Sequence, residues 1–241
     1  MFENYFDPLK KFGVLGSALR NERGAGIEFE IKPVNLTEFN PKGFKGVDDA
    51  PFGGGAGMIM RADILKEALI EGIVKPGKYK DIKKDLEIIC PAPRGKKWNN
   101  DEAKSFAQKY LSLDSKKDIV FICGRYEGID ERFLKKYVDH FYSLGDFILT
   151  GGELAVMVML DSAMRFSEGV LGNKLSAVDE SFADSKLEYE LYTRPREFEG
   201  LNIPEALLSG DPKQINKFKK SSSLEVTRKY RPDLLEWGTT L

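Results

Sequence analysis

Hydrophobic and polar positions divide most of the chain into short strand-like runs and longer helical segments. Short, mostly apolar runs predict strands, at residues 86–90, 118–123 and 141–143. Apolar residues at helical spacing predict helices, over residues 7–21, 61–71, 99–110 and 129–137. Ile27, Phe29 and Ile31 alternate with charged residues, which predicts a half-buried strand. Strands that alternate with helices predict an α/β fold with a mostly parallel sheet.

Residues 152–166 predict a further helix that is apolar on nearly every side. Its apolar residues are Leu154, Val156, Met157, Val158, Met159, Leu160 and Met164. A helix of this kind must be buried. Burial in the core of its own chain and burial against a partner subunit both satisfy the pattern.

The last third of the chain has a different character. Residues 172–188 are polar with few strand formers and predict a linker, and two helices are expected beyond residue 189, at 204–209 and 211–237, the second interrupted near residues 221–223 and at Pro232. This organisation predicts a domain over 1–171, a linker over 172–188 and a helical domain over 189–241. Between Lys213 and Arg231 there are seven basic residues and one acidic residue, Glu225. A solvated helix face and a phosphate-contacting surface both fit this charge.

Composition narrows the class of protein. The 241 residues are 41% hydrophobic and 31% charged, as in an ordinary globular protein, and the net charge of −1 argues against a bulk electrostatic nucleic-acid binder. No apolar run approaches the roughly 20 residues of a membrane span, and the first residues lack the pattern of a signal peptide, so a cytoplasmic location is the default expectation. Cys90 and Cys123 each end an apolar run, which favours buried free thiols over a disulfide or a metal pair.

Two glycine-rich signatures carry most of the functional information. They are CGRYEGIDER at 123–132 and SLGDFILTGGEL at 143–154. Each follows a predicted strand and so places flexible backbone at a strand end, where open α/β sheets bind ligands. Neither has the Gly-Lys-Ser/Thr ending of a phosphate-cradling loop. The expected ligand therefore carries no triphosphate.

Together with DDAPFGGGAGM at 48–58 and YTRP at 192–195, these segments closely resemble the bacterial tRNA (guanine-N1)-methyltransferases, a family of the SPOUT superfamily. The resemblance runs from about the first residue to about residue 235. It implies a trefoil-knotted cofactor site, S-adenosyl-L-methionine as cofactor, tRNA as substrate, and an obligate homodimer with a shared active site. It also suggests Mg²⁺, for which the sequence shows no cluster of metal ligands. Family members carry an apolar strand ahead of the position of Met1.

The resemblance assigns a set of residues to the cofactor site. They are Pro93, Gly124, Tyr126, Glu127, Leu144, Gly145, Asp146, Phe147, Ile148 and Leu149, with Gly151 and Gly152 keeping the backbone close. A sulfonium cofactor needs backbone groups for the adenine edge, apolar contacts for its faces and a carboxylate near its cationic end. Loops at 91–95, 124–128 and 144–152 contain all three.

Methylation at guanine N1 requires a base near N1 and a cation or donor near O6, because N1 is protonated at neutral pH. The resemblance supplies Arg165 as the cation. The carboxylate that precedes Ser181 in the family is Glu180 by register, and Asp179 if the backbone shifts by one residue. Both remain candidates.

Four residues are expected to contact the substrate. Asp48 matches a position that contacts the target guanine, Gly57 lets the backbone approach the RNA, Ser181 follows the carboxylate, and Arg194 opens the C-terminal domain. The expected reaction is methylation of the guanine 3′ of the anticodon. The alternatives are a SPOUT enzyme with another target position and an RNA-binding homologue with impaired catalysis.

Overall fold

The computed structural model describes residues 3–22, 28–40, 46–171 and 180–236. The chain divides into two compact units, Met1–Gly172 and Asn173–Leu241. Within the described ranges, none of the helices combines the length and the apolar character that crossing a bilayer requires.

Within the described residues, seven strands form three sheets. They are β1 (Asp48–Asp49), β2 (Ile59–Met60), β3 (Leu86–Lys97), β4 (Asp118–Phe121), β5 (His140–Ser143), β6 (Glu197–Phe198) and β7 (Leu201–Asn202). The main sheet has the order β4-β3-β5, and β3 runs parallel to both neighbours. The predicted α/β fold with a parallel sheet is confirmed.

The described residues also form α-helices. They are α1 (Asp7–Lys11), α2 (Gly13–Leu19), α3 (Ala62–Leu69), α4 (Lys75–Gly77), α5 (Ile82–Asp85), α6 (Asn100–Tyr110), α7 (Glu131–Tyr137), α8 (Gly152–Met164), α9 (Glu205–Leu208), α10 (Pro212–Tyr230) and α11 (Asp233–Glu236). Between α3 and α4 a π-helical turn covers Ile70–Val74, and 3₁₀ turns cover Glu3–Phe6 and Leu36–Phe39.

The central strand β3 separates two apolar cores. Leu86, Ile88 and Cys90 pack into one core with residues of α3 and α7. Ile89 points the other way, into a core built with α6 and α8. Because both faces of the strand are covered by helices, residues 86–90 are all buried, which explains why four of these five residues are apolar. The fifth, Glu87, forms an ion pair with Lys117.

Helix α8 is buried on one side only. Val156, Met159 and Ala163 are buried in the cores of the first unit, whereas Leu154 and Val158 lie on an exposed face of the same helix. The all-round apolar pattern of this segment thus leaves apolar side chains in contact with solvent in the single chain.

The strand predicted over residues 27–31 was wrong for its described part. Residues 28–35 form neither helix nor strand, and Ile27 lies outside the described residues. A strand needs a neighbour to accept its backbone hydrogen bonds. Phe29 and Ile31 instead line a cavity of about 1090 Å³, which is also lined by Phe121 of β4.

The helix predicted over residues 7–21 is broken in the structure. Phe12 has extended backbone angles, with φ −122° and ψ 159°, and separates α1 from α2. The next residue, Gly13, has a φ of +68°. The chain therefore turns at Phe12 and Gly13, and the apolar periodicity on either side belongs to two short helices.

In the second unit, α10 continues through Ser221–Ser223, so the predicted interruption there was wrong. The hydroxyls of this stretch serve the tertiary structure instead of ending the helix. Ser222 Oγ accepts a hydrogen bond from Glu190 N at 3.0 Å, and Ser223 Oγ donates to Leu187 O at 2.6 Å. The predicted interruption at Pro232 is confirmed, because α10 ends at Tyr230 and the residue before a proline disfavours helical angles.

Thr227 anchors the segment at residues 187–190 to α10. Its side chain is fully buried, and its Oγ1 accepts a hydrogen bond from Leu187 N at 2.9 Å. Replacing Thr227 by Val keeps the shape but leaves that N–H unsatisfied, so we expect the free energy of unfolding of the second unit to fall by about 1–3 kcal/mol. Urea unfolding measures the change.

Ser221→Ala is the matched control, because the Ser221 hydroxyl bonds only carbonyls of its own helix, Lys217 O and Phe218 O. We expect a change within about 0.5 kcal/mol for this variant. Equal losses in Thr227→Val and Ser221→Ala would contradict the anchoring role of Thr227.

Candidate functional site

The segment at 91–95 and the loops after β4 and β5 lie at one edge of the sheet, because parallel strands bring their carboxyl ends together. The loop predicted at 91–95 is a bulge within β3, since both Pro91 and Lys96 pair with Tyr142 of β5. Pro93 lies exposed on this bulge. The other two loops follow β4 and β5 over residues 122–130 and 144–151.

The glycine-rich segment at 48–60 is a hairpin that joins this edge. Its two short strands pair Asp48 with Met60 and Asp49 with Ile59. Three backbone hydrogen bonds tie it to the loop after β4: Glu127 N to Met58 O at 3.0 Å, Met60 N to Gly128 O at 2.9 Å, and Asp130 N to Met60 O at 3.0 Å. The structure therefore brings two predicted substrate residues, Asp48 and Gly57, to the loop that contains Tyr126 and Glu127.

The loop after β4 also contacts the start of α8. Gly152 N donates a hydrogen bond to Gly124 O at 2.8 Å. A Cβ added at Gly152 would lie 2.9 Å from both Cys123 Cα and Gly124 N. Only glycine lets the two backbones approach this closely, which is a physical reason for the second glycine of the Gly151-Gly152 pair.

A buried ion pair reinforces the same junction. Arg125 Nε lies 2.9 Å from Glu153 Oε1, and the two side chains are 16% and 9% exposed. Arg125 also packs over the Tyr5 ring, with 5.6 Å from Cζ to the ring centroid. Glu153 lies in the first turn of α8, where the helix dipole favours a negative charge.

The loop after β5 is largely exposed. Ser143 Oγ accepts a hydrogen bond from Gly145 N at 3.3 Å and positions its start. Asp146 and the apolar side chains of Phe147, Ile148 and Leu149 then lie exposed. These side chains leave an apolar surface beside the other loops.

Helix α8 follows the loop after β5 in the chain, and its first residue contacts the loop after β4. Its 13 residues span about 20 Å. Its last turn lies near the end of β5, since Trp98 Nε1 donates to Ser162 Oγ at 2.9 Å and Trp98 N donates to Ser143 O at 2.8 Å. Arg165 follows the helix directly. Its neighbour Phe166 packs against the same apolar core as Leu144, the first residue of the loop after β5.

Comparisons of the sequence with known proteins show the family of the chain. A protein-family model described as tRNA (Guanine-1)-methyltransferase TrmD matches residues 1–237. The chain belongs to this family.

Curated relatives carry the name tRNA (guanine-N(1)-)-methyltransferase. The relative from Geobacter sulfurreducens is 44% identical over 86% of this chain and 78% of its own length. Those from Lactobacillus delbrueckii subsp. bulgaricus and a Sulfurihydrogenibium species are 38% and 41% identical over 98% of this chain, and over 86% and 85% of their own lengths.

Membership of a methyltransferase family implies S-adenosyl-L-methionine as the cofactor. The side chains at the loop edge suit such a group: exposed apolar residues at 147–149 for a purine ring, and the exposed carboxylates of Glu127 and Asp146 for a cation. Mg²⁺ has no such support. Across the described ranges, no group of three or more His, Cys, Asp or Glu side chains is placed to hold a metal ion, so no step is assigned to a metal.

The remaining predicted site residues lie in the second unit, and one of them is outside the described residues. Glu180 is half-buried, and Arg194 is exposed. Ser181 Oγ accepts a hydrogen bond from Glu188 N at 2.9 Å, which shapes the turn after Glu180. Asp179 lies outside the described residues, so the choice between the two carboxylates stays a prediction.

The cysteines in this region are free thiols. Burial raises the pKa of Cys123 to about 12, and the Glu153 carboxylate adds to the shift. Burial also raises the pKa of Cys90 to about 12. Both thiols are therefore neutral near pH 7, and neither is activated as a nucleophile.

The ion pair between Arg125 and Glu153 generates a stability prediction. Glu153→Ala leaves a buried guanidinium without its carboxylate, so the free energy of unfolding of the first unit should fall by about 3–5 kcal/mol. Joint replacement of both residues by Met should recover much of the loss, because no buried charge then remains. Chemical denaturation of each variant checks this.

Glu131→Ala is the matched control, since Glu131 pairs with Arg94 at 2.9 Å with both side chains 48% exposed. Its expected cost is about 0–1 kcal/mol. A Glu153→Ala loss as small as that of the control would show that the buried pair does not hold the junction together.

Proposed function

We propose that the chain transfers a methyl group to N1 of the guanine 3′ of the tRNA anticodon. The observation that carries the proposal is that backbone hydrogen bonds join the hairpin with Asp48, the loop at 124–128 and the start of α8 at one edge of the sheet, next to the loop after β5, which leads into α8. Family membership across residues 1–237 supplies the reaction class. Because tRNA is the proposed substrate, the proposed location is the cytoplasm.

The proposed cofactor site uses the three strand-end segments. The backbone at Pro93, Gly124 and Gly145 borders the cofactor, and Phe147, Ile148 and Leu149 provide apolar contacts. Gly151 and Gly152 keep the backbone close enough for Tyr126 and Glu127 to share the same pocket. S-adenosyl-L-methionine, when bound, supplies an electrophilic methyl group on its sulfonium.

The target guanine has to leave the base stack before N1 can be reached. Asp48, at the base of the hairpin, is proposed to accept a hydrogen bond from its Watson–Crick edge. Glu180, or Asp179, then removes the N1 proton. Arg165 donates to O6, where negative charge accumulates, and so makes that proton easier to remove. The electron pair freed by deprotonation would let N1 bond to the methyl group while the bond from that methyl group to the sulfonium sulfur breaks, and the sulfur would leave as a neutral thioether.

A homodimer completes the proposed site. Leu154 and Val158 on α8, with the exposed apolar loop at 147–149, form an apolar surface that a second copy would cover. The proposed arrangement combines the cofactor loops of one subunit with the second unit of its partner. The trefoil knot belongs to the same proposal, and the backbone contact of Gly95 with Phe141 and Tyr142 supports a tight chain crossing there.

The proposed tRNA-binding domain covers residues 189–241, with 172–188 as the linker. Helix α10 carries most of the basic stretch between Lys213 and Arg231, a net charge of +6. Phosphate contacts of such a helix position RNA without reading its sequence. The charge therefore supports RNA binding, while the choice of guanine depends on the first unit.

The direct test is methyl transfer from labelled S-adenosyl-L-methionine to a tRNA transcript, followed by mapping of the methylated nucleotide. We expect label at the guanine 3′ of the anticodon, and none when that guanine is replaced by adenine. Label at another nucleotide would support a SPOUT enzyme with a different target. Cofactor-independent tRNA binding without transfer would support an RNA-binding homologue.

Arg165→Ala should lower kcat by about 10²–10³-fold, as for loss of a group that stabilises developing charge. Calorimetry should show unchanged binding of S-adenosyl-L-methionine. Lys84→Ala is the control, because Lys84 is 83% exposed in α5, before the amino end of β3. An unchanged kcat in Arg165→Ala would refute the role of Arg165.

Mixing two inactive variants tests the shared site. In a dimer of one Arg165→Ala subunit and one Asp179→Asn/Glu180→Gln subunit, in which both candidate bases are replaced, one of the two shared sites is intact and the other lacks both groups. We expect each mixed dimer to regain about half of the wild-type activity, because catalysis needs both groups in one site. No recovery, with exchange of subunits verified by tag pull-down, would place Arg165 and the base in the same subunit.

A further inference from the structure

The hairpin at 48–60 carries an aromatic ring that nothing in its own chain covers. Phe52 is 99% exposed, a larger fraction than any other large hydrophobic side chain has in the described part of the chain. Exposed apolar side chains are common, but an isolated aromatic ring fully in water suits a function better than a fold. Because it is so exposed, the Phe52 side chain adds almost no packing to the fold.

A defined turn holds Phe52 at the tip. Gly54 N donates a hydrogen bond to Pro51 O at 3.2 Å, so Phe52 and Gly53 are the central residues of a β-turn. Gly53 has a φ of +92°, as the third residue of a type II turn requires. A Cβ added at Gly53 would meet no atom within 4 Å. The glycine therefore serves the turn geometry and not packing.

The base of this hairpin is fixed to the candidate site. Asp48 and Asp49 pair with Met60 and Ile59, and Asp49 Oδ1 accepts a hydrogen bond from Ala50 N at 2.8 Å. The backbone hydrogen bonds from residues 58–60 to the loop after β4 anchor it further. A ring at the tip is thus presented from a rigid base beside the loops that border the proposed cofactor.

The chemistry of the tip selects its ligand. Residues 50–60 contain no charged side chain, so the tip offers no ion pair to a phosphate. An aromatic face in water binds the face of an unpaired nucleobase well, because every base has a π surface for stacking. Extrusion of the target guanine also leaves its neighbours unstacked and available.

We propose that Phe52 stacks on an unpaired nucleobase of the tRNA next to the methylated guanine. This inference rests on the proposed function, since it needs RNA at the hairpin. Phe52 is assigned to substrate binding and takes no part in proton or methyl transfer.

Phe52→Trp gives a direct readout that does not depend on methylation. A tryptophan that stacks on a base loses fluorescence, so titration with tRNA should quench the signal that Phe52→Trp adds to the wild-type protein. Leu113→Trp is the matched control, because Leu113 is 69% exposed on the segment before β4, at the other edge of the sheet. Its signal should stay unchanged.

Kinetics give the second readout. Phe52→Ala should raise KM for tRNA by roughly 10–100-fold, the range for loss of one stacked base, with kcat and binding of S-adenosyl-L-methionine unchanged. Phe52→Tyr should restore the wild-type KM. Because the ring is exposed, the midpoint of thermal unfolding should match wild type in all variants.

The outcomes separate this inference from the proposed function. Quenching of Phe52→Trp by tRNA in a protein that transfers no methyl group supports the stacking role and overturns the function. Methyl transfer with an unchanged KM in Phe52→Ala, and no quenching, overturns the stacking role alone. A change of oligomeric state in Phe52→Ala, measured by sedimentation, would assign the ring to a contact between copies and overturn the inference.

Discussion

The junction between the loop after β4 and the start of α8 is the constraint on which the site depends. A glycine–glycine backbone contact and the buried ion pair of Arg125 with Glu153 hold it together. The ion pair is costly to desolvate and becomes stabilising only when both partners are in place. Any conformation that separates the loop from the helix leaves two buried charges unpaired. The junction therefore favours one arrangement of the loops over many near alternatives.

The same junction explains how a small sheet can organise several loops. Three parallel strands bring their carboxyl ends to one edge, but strand ends alone leave loops free to take many conformations. Here the hairpin at 48–60 is bonded to the loop after β4, and that loop is bonded to α8. Each loop is thus positioned by another loop as well as by its strand. In a methyltransferase, loops held in this way can keep the residues of a binding site in fixed positions.

Sequence patterns predicted the elements whose cause is local. The mostly apolar run at 86–90 is a strand covered on both faces. The helix predicted over 99–110 is α6, and Asn99 caps it, because its side chain accepts a hydrogen bond from Glu102 N. Elements that depend on residues far away in the chain were harder to predict. The alternation at 29–31 found no neighbouring strand, and the serines of α10 bind a segment more than 30 residues away.

The candidate site shows the same division. Glycine-rich signatures marked the loops, but the pairing of Arg125 with Glu153 across 28 residues was missed; a lone glutamate opening an otherwise apolar helix was the available signal.

Helix α8 has one further consequence. It begins at the junction and ends next to Arg165, with no proline or glycine inside its last three turns. Because α8 is one uninterrupted helix, its first turn at the junction and its last turn beside Trp98 are held about 20 Å apart. In the proposed site, this helix therefore fixes the distance between the cofactor loops at its start and Arg165 beyond its end.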